Sequence, residues 1–158
     1  MKTLAFLFVT AAASLAFAYP SVKDQAVFKG TYQGGAGGSI DFVQALELTA
    51  LNEATGMFTL TSTINVNGRT QSEEAQVSKG DLPDSAKIQD IMTNCASYGG
   101  EAVEITVPAG TFTACYGQDD KQGETWISDV PFGIVKQISF DEDQNKMVIE
   151  LQSFRSGN

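Results

Sequence analysis

The chain of 158 residues contains no histidine. Without an imidazole it cannot form a Ser-His-Asp or Cys-His catalytic arrangement, and it has no histidine ligand for zinc, copper or haem. Enzymes also work through paired carboxylates or a lysine, so this absence narrows the chemistry without removing catalysis altogether. The sequence therefore favours a non-enzymatic protein, and it nominates no cofactor and no metal site.

Positive charge is also scarce, because 10 lysines and arginines stand against 19 aspartates and glutamates. Binding to a phosphate backbone depends on clustered basic side chains, so such a chain repels nucleic acid and anionic lipid headgroups. Nucleic-acid binding is excluded on this ground. The acidic balance itself is typical of a protein that stays soluble and resists aggregation.

Apolar runs long enough to cross a bilayer, which takes about 20 residues, are absent. The first 18 residues instead have the pattern of a secretory signal peptide: Lys2, an apolar run from Leu4 to Ala13, and the small-x-small cleavage site Ala16-Phe17-Ala18. We expect the mature chain to begin at Tyr19, where no cysteine is present for lipid attachment. The protein is predicted to be periplasmic or secreted, without stable membrane insertion.

The mature segment 19–158 has the size of a single domain. It contains only two cysteines, Cys95 and Cys115, and in an oxidising compartment such a pair is most simply a disulfide. The alternative, a redox-active pair, usually occurs as Cys-x-x-Cys at a helix start, which this spacing does not match. The bridge would close a loop of about 20 residues and stabilise the fold by roughly 3 kcal/mol.

Apolar residues alternate with polar ones along most of the mature chain, which is typical of strands with one face on a core. The turn signals are Asn67-Gly68, Pro108-Ala109-Gly110 and the polar stretch from Asp141 to Lys146. The alternating positions are Ile40, Phe42, Leu46 and Leu48; Phe58, Leu60, Ile64 and Val66; Val103, Ile105 and Val107; Phe112, Ala114 and Tyr116; and the segments Ile134 to Phe140 and Met147 to Phe154. This pattern predicts a meander of antiparallel strands.

One segment has helical spacing instead. After Pro83 and a candidate N-cap at Asp84, apolar residues recur at Ile88, Ile91, Met92 and Cys95, and Gly99-Gly100 ends the run. We expect a single amphipathic helix of about three turns, pinned to the sheet by the disulfide. The predicted fold is mainly β (α+β): a curved antiparallel sheet or half-open barrel of eight to nine strands, with one amphipathic helix packed on it.

Four stretches carry a family resemblance: Asn94 to Gly100, Val107 to Cys115, Glu124 to Trp126, and Val130 to Lys136. Together they resemble an uncharacterised family of exported Gram-negative bacterial domains, in which a VPAGTF hairpin is followed by a tryptophan strand and a VPFGxVK turn. The resemblance covers about a third of the chain. It implies a curved sheet with a helix against it, broadly similar to the half-barrels of periplasmic lipoprotein carriers, and a shared shape does not fix function.

Three aromatic residues lie near these turns, namely Phe112, Trp126 and Phe132. They are either core residues between the sheet and the helix or the lining of a cavity for an apolar ligand, and the sequence leaves both interpretations open. They are the candidate ligand-binding residues.

Several other motifs have a structural explanation. The glycine-rich segment Gly34 to Gly38 lacks the lysine and the helix of a phosphate loop, which favours a flexible loop. Asp141, Asp143 and Asn145 alternate like calcium ligands, but Lys146 replaces the turn glycine of an EF-hand, so we expect a solvated hairpin turn. A second acidic loop, Asp119-Asp120, leaves open a weak calcium site between the two loops.

The remaining catalytic candidates are the carboxylate pairs Glu73 with Glu74 and Glu101 with Glu104. In strands, residues one or three apart point to opposite faces, so neither pair converges on a substrate.

Two hypotheses about the function remain. One is an exported carrier or binding module for a lipid or other apolar molecule on the concave face of the sheet; the other is a structural or interaction domain that recognises another envelope protein.

Overall fold

The structure is a computed structural model that describes residues 19–34 and 37–157. The predicted signal peptide lies outside the described residues, and so do two residues of the glycine-rich segment. The strands are β1 (Gln25–Gln33), β2 (Ser39–Asn52), β3 (Met57–Val66), β4 (Arg69–Ser78), β5 (Glu101–Val107), β6 (Gly110–Gln118), β7 (Glu124–Ile127), β8 (Ile134–Phe140) and β9 (Lys146–Arg155). They form one antiparallel sheet in the order β4-β3-β2-β1-β9-β8-β7-β6-β5, which confirms the predicted fold class.

Strands β1 to β4 follow one another as a meander. The predicted turn at Asn67-Gly68 is present, and both residues have the positive φ (51° and 79°) that a two-residue hairpin turn requires. The sequence pattern does not reveal β1, because its buried face alternates Ala26 and Phe28 with Gly30, which has no apolar side chain to mark the period.

The half of the sheet formed by β9, β8, β7, β6 and β5 bends back on itself. Strand β5 is four places from β9 in the sheet order, and in a flat sheet these strands would be about 19 Å apart. The N–H of Ala109, in the β5–β6 turn, nevertheless donates to the carbonyl of Leu151 in β9 at 3.0 Å. The sheet is therefore strongly curved and open, as predicted.

Helix α1 (Ser85–Thr93) begins at the predicted N-cap, since the side chain of Asp84 accepts a hydrogen bond from the N–H of Lys87 at 2.7 Å. The α-helix is shorter than expected: after Asn94 the chain continues as a 3-10 turn (Cys95–Tyr98) and ends at Gly99, whose φ is 76°. On the apolar face, Ile88 is fully buried. Within the described residues, no helix has the length and apolar character needed to cross a membrane.

The disulfide joins Cys95 of the 3-10 turn to Cys115 of β6, with 5.5 Å between their Cα atoms. Both cysteines are buried. Gly100 leaves room for the bridge, because a Cβ at this position would lie 2.8 and 2.9 Å from the two sulfur atoms. The predicted pairing is confirmed, and it fastens the end of the helical segment to the sheet.

The core lies between the curved sheet and the segments that close over it. Its buried members are Ala26, Phe28, Val107, Ala114, Val130, Val135, Ile149 and Leu151. They come from both halves of the sheet, so the meander and the bent half share one core. The β3–β4 hairpin contributes none of them: Phe58 of β3 is buried outside this cluster, whereas Ile64, nearer the turn, is exposed.

Candidate functional site

The predicted residue Trp126 has its ring between two neighbours. The ring of Tyr116 lies 4.9 Å away, centroid to centroid, and the ammonium of Lys136 lies 5.5 Å from the indole. Lys136 and Tyr116 are the direct cross-strand partners of Trp126 in β8 and β6. Lys136 also forms an ion pair with Glu150 at 2.8 Å. The sheet register itself therefore places a ring and a cation beside the indole.

The other two predicted aromatics lie elsewhere. The ring of Phe112 packs against that of Phe154 at 6.2 Å, and Phe132 lies in the β7–β8 turn with a left-handed φ of 64°. Phe132 lines a void of about 10 Å³, which is about the size of one water molecule. All three rings pack against the core while remaining partly exposed, and none of them lines either of the two larger clefts described below. Their role in ligand binding stays a prediction.

The β3–β4 hairpin contains an open cleft of about 370 Å³. Its lining combines two aliphatic side chains with a ring of polar ones: Ser62, Ile64, Val66, Arg69, Thr70, Gln71 and Glu73. We call it the hairpin cleft. Because the turn at Asn67-Gly68 fixes the register, Val66 lies opposite Arg69 and Ile64 opposite Gln71 on the same face of the sheet. The alternation along β3 predicts that Ile64 and Val66 lie on the same face of the sheet. The two-residue turn at Asn67-Gly68 is the sequence signal that would also have placed Arg69 on that face, opposite Val66.

The same face continues across the sheet as a row of directly paired residues. Arg69 in β4 is opposite Val66 in β3, Val66 is opposite Phe42 in β2, and Phe42 is opposite Gly30 in β1. The ring of Phe42 lies over Gly30, since a Cβ on Gly30 would be only 2.1 Å from it. Phe42 also packs against the core. The apolar floor of the hairpin cleft is therefore continuous with the core.

The charge at the hairpin cleft differs from that of the rest of the protein. The chain has a formal net charge of −9 and only two arginines. In the described part of the chain the ion pairs are Lys136 with Glu150 and Arg155 with Glu47. Arg69 takes part in neither and is exposed at the start of β4. Arg69 thus places a positive charge that is in no ion pair of the described residues beside an apolar surface.

A second, polar cleft of about 520 Å³ lies between the two predicted acidic loops and is lined by Asp120, Lys121, Gln122, Phe140, Asp141, Glu142 and Gln144. The structure thus brings these loops together. The carboxylate of Asp141 serves the turn, because it accepts from the Asn145 side chain (2.8 Å) and from two backbone N–H groups, and the hydroxyl of Tyr32 also donates to it. These bonds, led by the Asn145 side chain, lower the pKa of Asp141.

The second acidic loop is held in the same way. One carboxylate oxygen of Asp119 accepts from the N–H groups of Lys121 and Gly123, both at 2.8 Å. Asp119 and Asp141 are therefore used as turn-forming acceptors. Among the residues that the structure describes, no group of three or more acidic or cysteine side chains is arranged to hold a metal ion.

The carboxylate pairs that the sequence offered for catalysis lie in strands, as expected. Glu73 and Glu74 are neighbours in β4, and Glu101 and Glu104 lie three apart in β5. Strand alternation directs the members of each pair to opposite faces. Glu73 lines the hairpin cleft, and no other carboxylate lies among the described residues that line it.

The chain was compared with protein families, curated proteins and solved structures. No protein-family model matches this chain, and no curated protein matches it significantly. Among solved structures, it is similar to a protein of Bacteroides fragilis that is proposed to be exported and is described as having a YmcC-like fold. The two share 11% sequence identity with a TM-score of 0.47, over 89% of this chain and 100% of the other.

Proposed function

We propose that this protein is an exported, non-enzymatic binding module that holds an apolar ligand on the open face of its sheet. The observation that carries the proposal is the hairpin cleft. Its volume of about 370 Å³ falls within the range of roughly 300 to 1,000 Å³ that small-molecule sites occupy. Its aliphatic floor, Ile64 and Val66, is accessible from solvent.

Two features support an extracytoplasmic location, either periplasm or medium. The first is the N-terminal sequence, with its basic residue, apolar run and small-x-small site. The second is the buried disulfide between Cys95 and Cys115, because structural disulfides persist in oxidising compartments.

The non-enzymatic part of the proposal rests on the chemistry available. The chain has no histidine, and its strand carboxylates point to opposite faces. The polar side chains of the hairpin cleft are Ser62, Arg69, Thr70, Gln71 and Glu73. They offer hydrogen bonds and charge to a ligand. Glu73 lies opposite Ser62 in the strand pairing, but the Glu73 carboxylate accepts a hydrogen bond from Gln71 and the Ser62 hydroxyl accepts one from Gln44, so the carboxylate is not bonded to the hydroxyl as an activating base would be.

The test is ligand retention by the exported protein. Native mass spectrometry of the oxidised protein, with lipid analysis of an organic extract of the same sample, should find a stoichiometric apolar adduct. Ile64→Asn should reduce the bound fraction. Val43→Asn is the matched control, because Val43 is equally exposed (39% against 38%) but lies on the opposite face, where it pairs with Asn65.

A bare protein under all conditions, or equal loss with both variants, would contradict the proposal. The same assay locates the ligand. Retention that falls in Trp126→Ala or Phe132→Ala but not in Ile64→Asn would place the ligand at the aromatic residues predicted from the sequence instead of in the hairpin cleft.

A second candidate function is protein recognition through the sheet edge. Strand β4 ends the sheet order and pairs with β3, and its first eight residues are exposed. Such an edge can accept an extended segment of another protein as an added strand. Crosslinking in the cell envelope should then capture one reproducible partner, and a proline at Ser72 should abolish the capture; a monomer with no crosslinked species would count against this function.

A further inference from the structure

We infer that the ligand of the hairpin cleft is a single-chain amphiphile with one carboxylate, whose head binds Arg69 and whose chain lies over Val66 and Phe42. This inference rests on the proposed function and adds the chemical class of the ligand. It is carried by the row of paired residues that begins with a cation at the sheet edge and continues over apolar side chains toward the core.

The row gives the site a direction. Arg69 is exposed, Val66 and Phe42 are half-buried, and Gly30 beneath the Phe42 ring is fully buried. Three strand spacings separate Arg69 from Gly30, about 14 Å in all. An amphiphile bound along this row keeps its charged head in water at the sheet edge, and its apolar chain leaves water as it approaches the core. Both placements are favourable, because burying a charge costs free energy and burying an apolar chain gains it.

The chemistry of the head follows from the guanidinium. Its fork of N–H donors matches a carboxylate or phosphate with two parallel hydrogen bonds, whereas an uncharged or cationic head makes no such pair. Arg69 also faces no competing ion pair among the described residues. An anionic head therefore gains a charge-assisted interaction at little cost to contacts that already exist.

The number of charges on the head is limited by the surroundings. Arg69 supplies a single positive charge, Glu73 lines the same cleft, and the chain as a whole is strongly acidic. A head with two negative charges would leave one of them facing Glu73 and the acidic surface without compensation. A carboxylate, with one charge, fits these groups better than a phosphate monoester.

The test compares three probes of equal chain length, dodecanoate, dodecanol and dodecyltrimethylammonium, at concentrations where each is monomeric. Binding to the exported, oxidised protein is measured by displacement of a fluorescent polyene fatty acid. We expect dodecanoate to bind about tenfold or more tightly than the other two, the range of a hydrogen bond to a charged group. Arg69→Gln should remove this preference, and Arg69→Lys should keep part of it.

Arg155→Gln is the matched control, because Arg155 is the other arginine of the chain and is paired with Glu47. It should leave the preference unchanged. Equal affinity for all three probes, or an undiminished preference in Arg69→Gln, would overturn the assignment of the head while leaving an apolar site in the cleft. Failure of all three probes to bind would overturn the proposed function as well.

Discussion

Breaking the disulfide should destabilise the fold by an amount set by the length of the loop that it closes. Cys95 and Cys115 are 20 positions apart, and closing a loop of that length removes roughly 3 kcal/mol of conformational entropy from the unfolded chain. Because Cys95 follows helix α1 and Cys115 lies in β6, the bridge also opposes separation of the helical segment from the sheet.

The assay is urea unfolding followed by tryptophan fluorescence, since the chain has one tryptophan, Trp126. Small proteins lose about 1 to 3 kcal/mol of stability per molar urea, so the midpoint of reduced wild-type protein should fall by about 1 to 3 M relative to the oxidised form. Reduction keeps both sulfur atoms, and the comparison therefore isolates the covalent link.

A double Cys95→Ala, Cys115→Ala variant separates the loop effect from packing. Both side chains are buried, so this variant should be less stable than the reduced wild type by the cost of the missing sulfur atoms. A change in midpoint below about 0.3 M on reduction would refute the loop-closure argument.

Two further predictions concern Gly30 and Tyr19. Gly30→Ala should cost about 1 to 3 kcal/mol in urea unfolding, because the new Cβ would overlap the Phe42 ring. The same substitution should cost less in a Phe42→Ala background, where the ring is absent, and an unchanged midpoint in Gly30→Ala would contradict the close approach. Burial, followed by the hydrogen bond to Asp129, raises the pKa of the Tyr19 phenol. As the pH rises, the unfolded chain therefore loses this proton at a lower pH than the folded protein does. The free energy of unfolding of the wild type should fall as the pH rises above about 10. Tyr19→Phe should show a smaller decrease over the same pH range, and equal slopes would contradict the assignment.

Much of the fold follows from local signals in the sequence. The turn at Asn67-Gly68 sets the register of the β3–β4 hairpin, Asp84 caps the helix as its position predicts, and Ile134 to Phe140 is a strand with the predicted bounds. These features depend on a few neighbouring residues. Strand β1 was hidden because Gly30 takes the place of an apolar side chain on its buried face.

The candidate site was less accessible to sequence analysis. Alternation shows that Ile64 and Val66 share a face of β3, but it does not show whether another segment covers that face. In the structure the helical segment contacts β6 and β7, and the turn end of the β3–β4 hairpin, at Ile64 and Val66, stays accessible to solvent. Conversely, Trp126 stood out as the one tryptophan of the chain, while the register that places Tyr116 and Lys136 beside it depends on how β7 pairs with β6 and β8, including a register shift next to Trp126 that local signals do not predict.

An open apolar face at the edge of a sheet invites pairing with a second copy, and β4 is built against this. If two copies of β4 paired antiparallel about a two-fold axis, the registers with the longest overlap would place Glu73 opposite its own copy or Glu74 opposite its own copy, since the strand spans Arg69–Ser78. Like charges directly opposite each other destabilise a strand pair. Self-association is therefore disfavoured along the edge, while the hairpin cleft on the adjacent face remains accessible. This combination suits a small ligand, which can reach Ile64 and Arg69 without pairing with the strand.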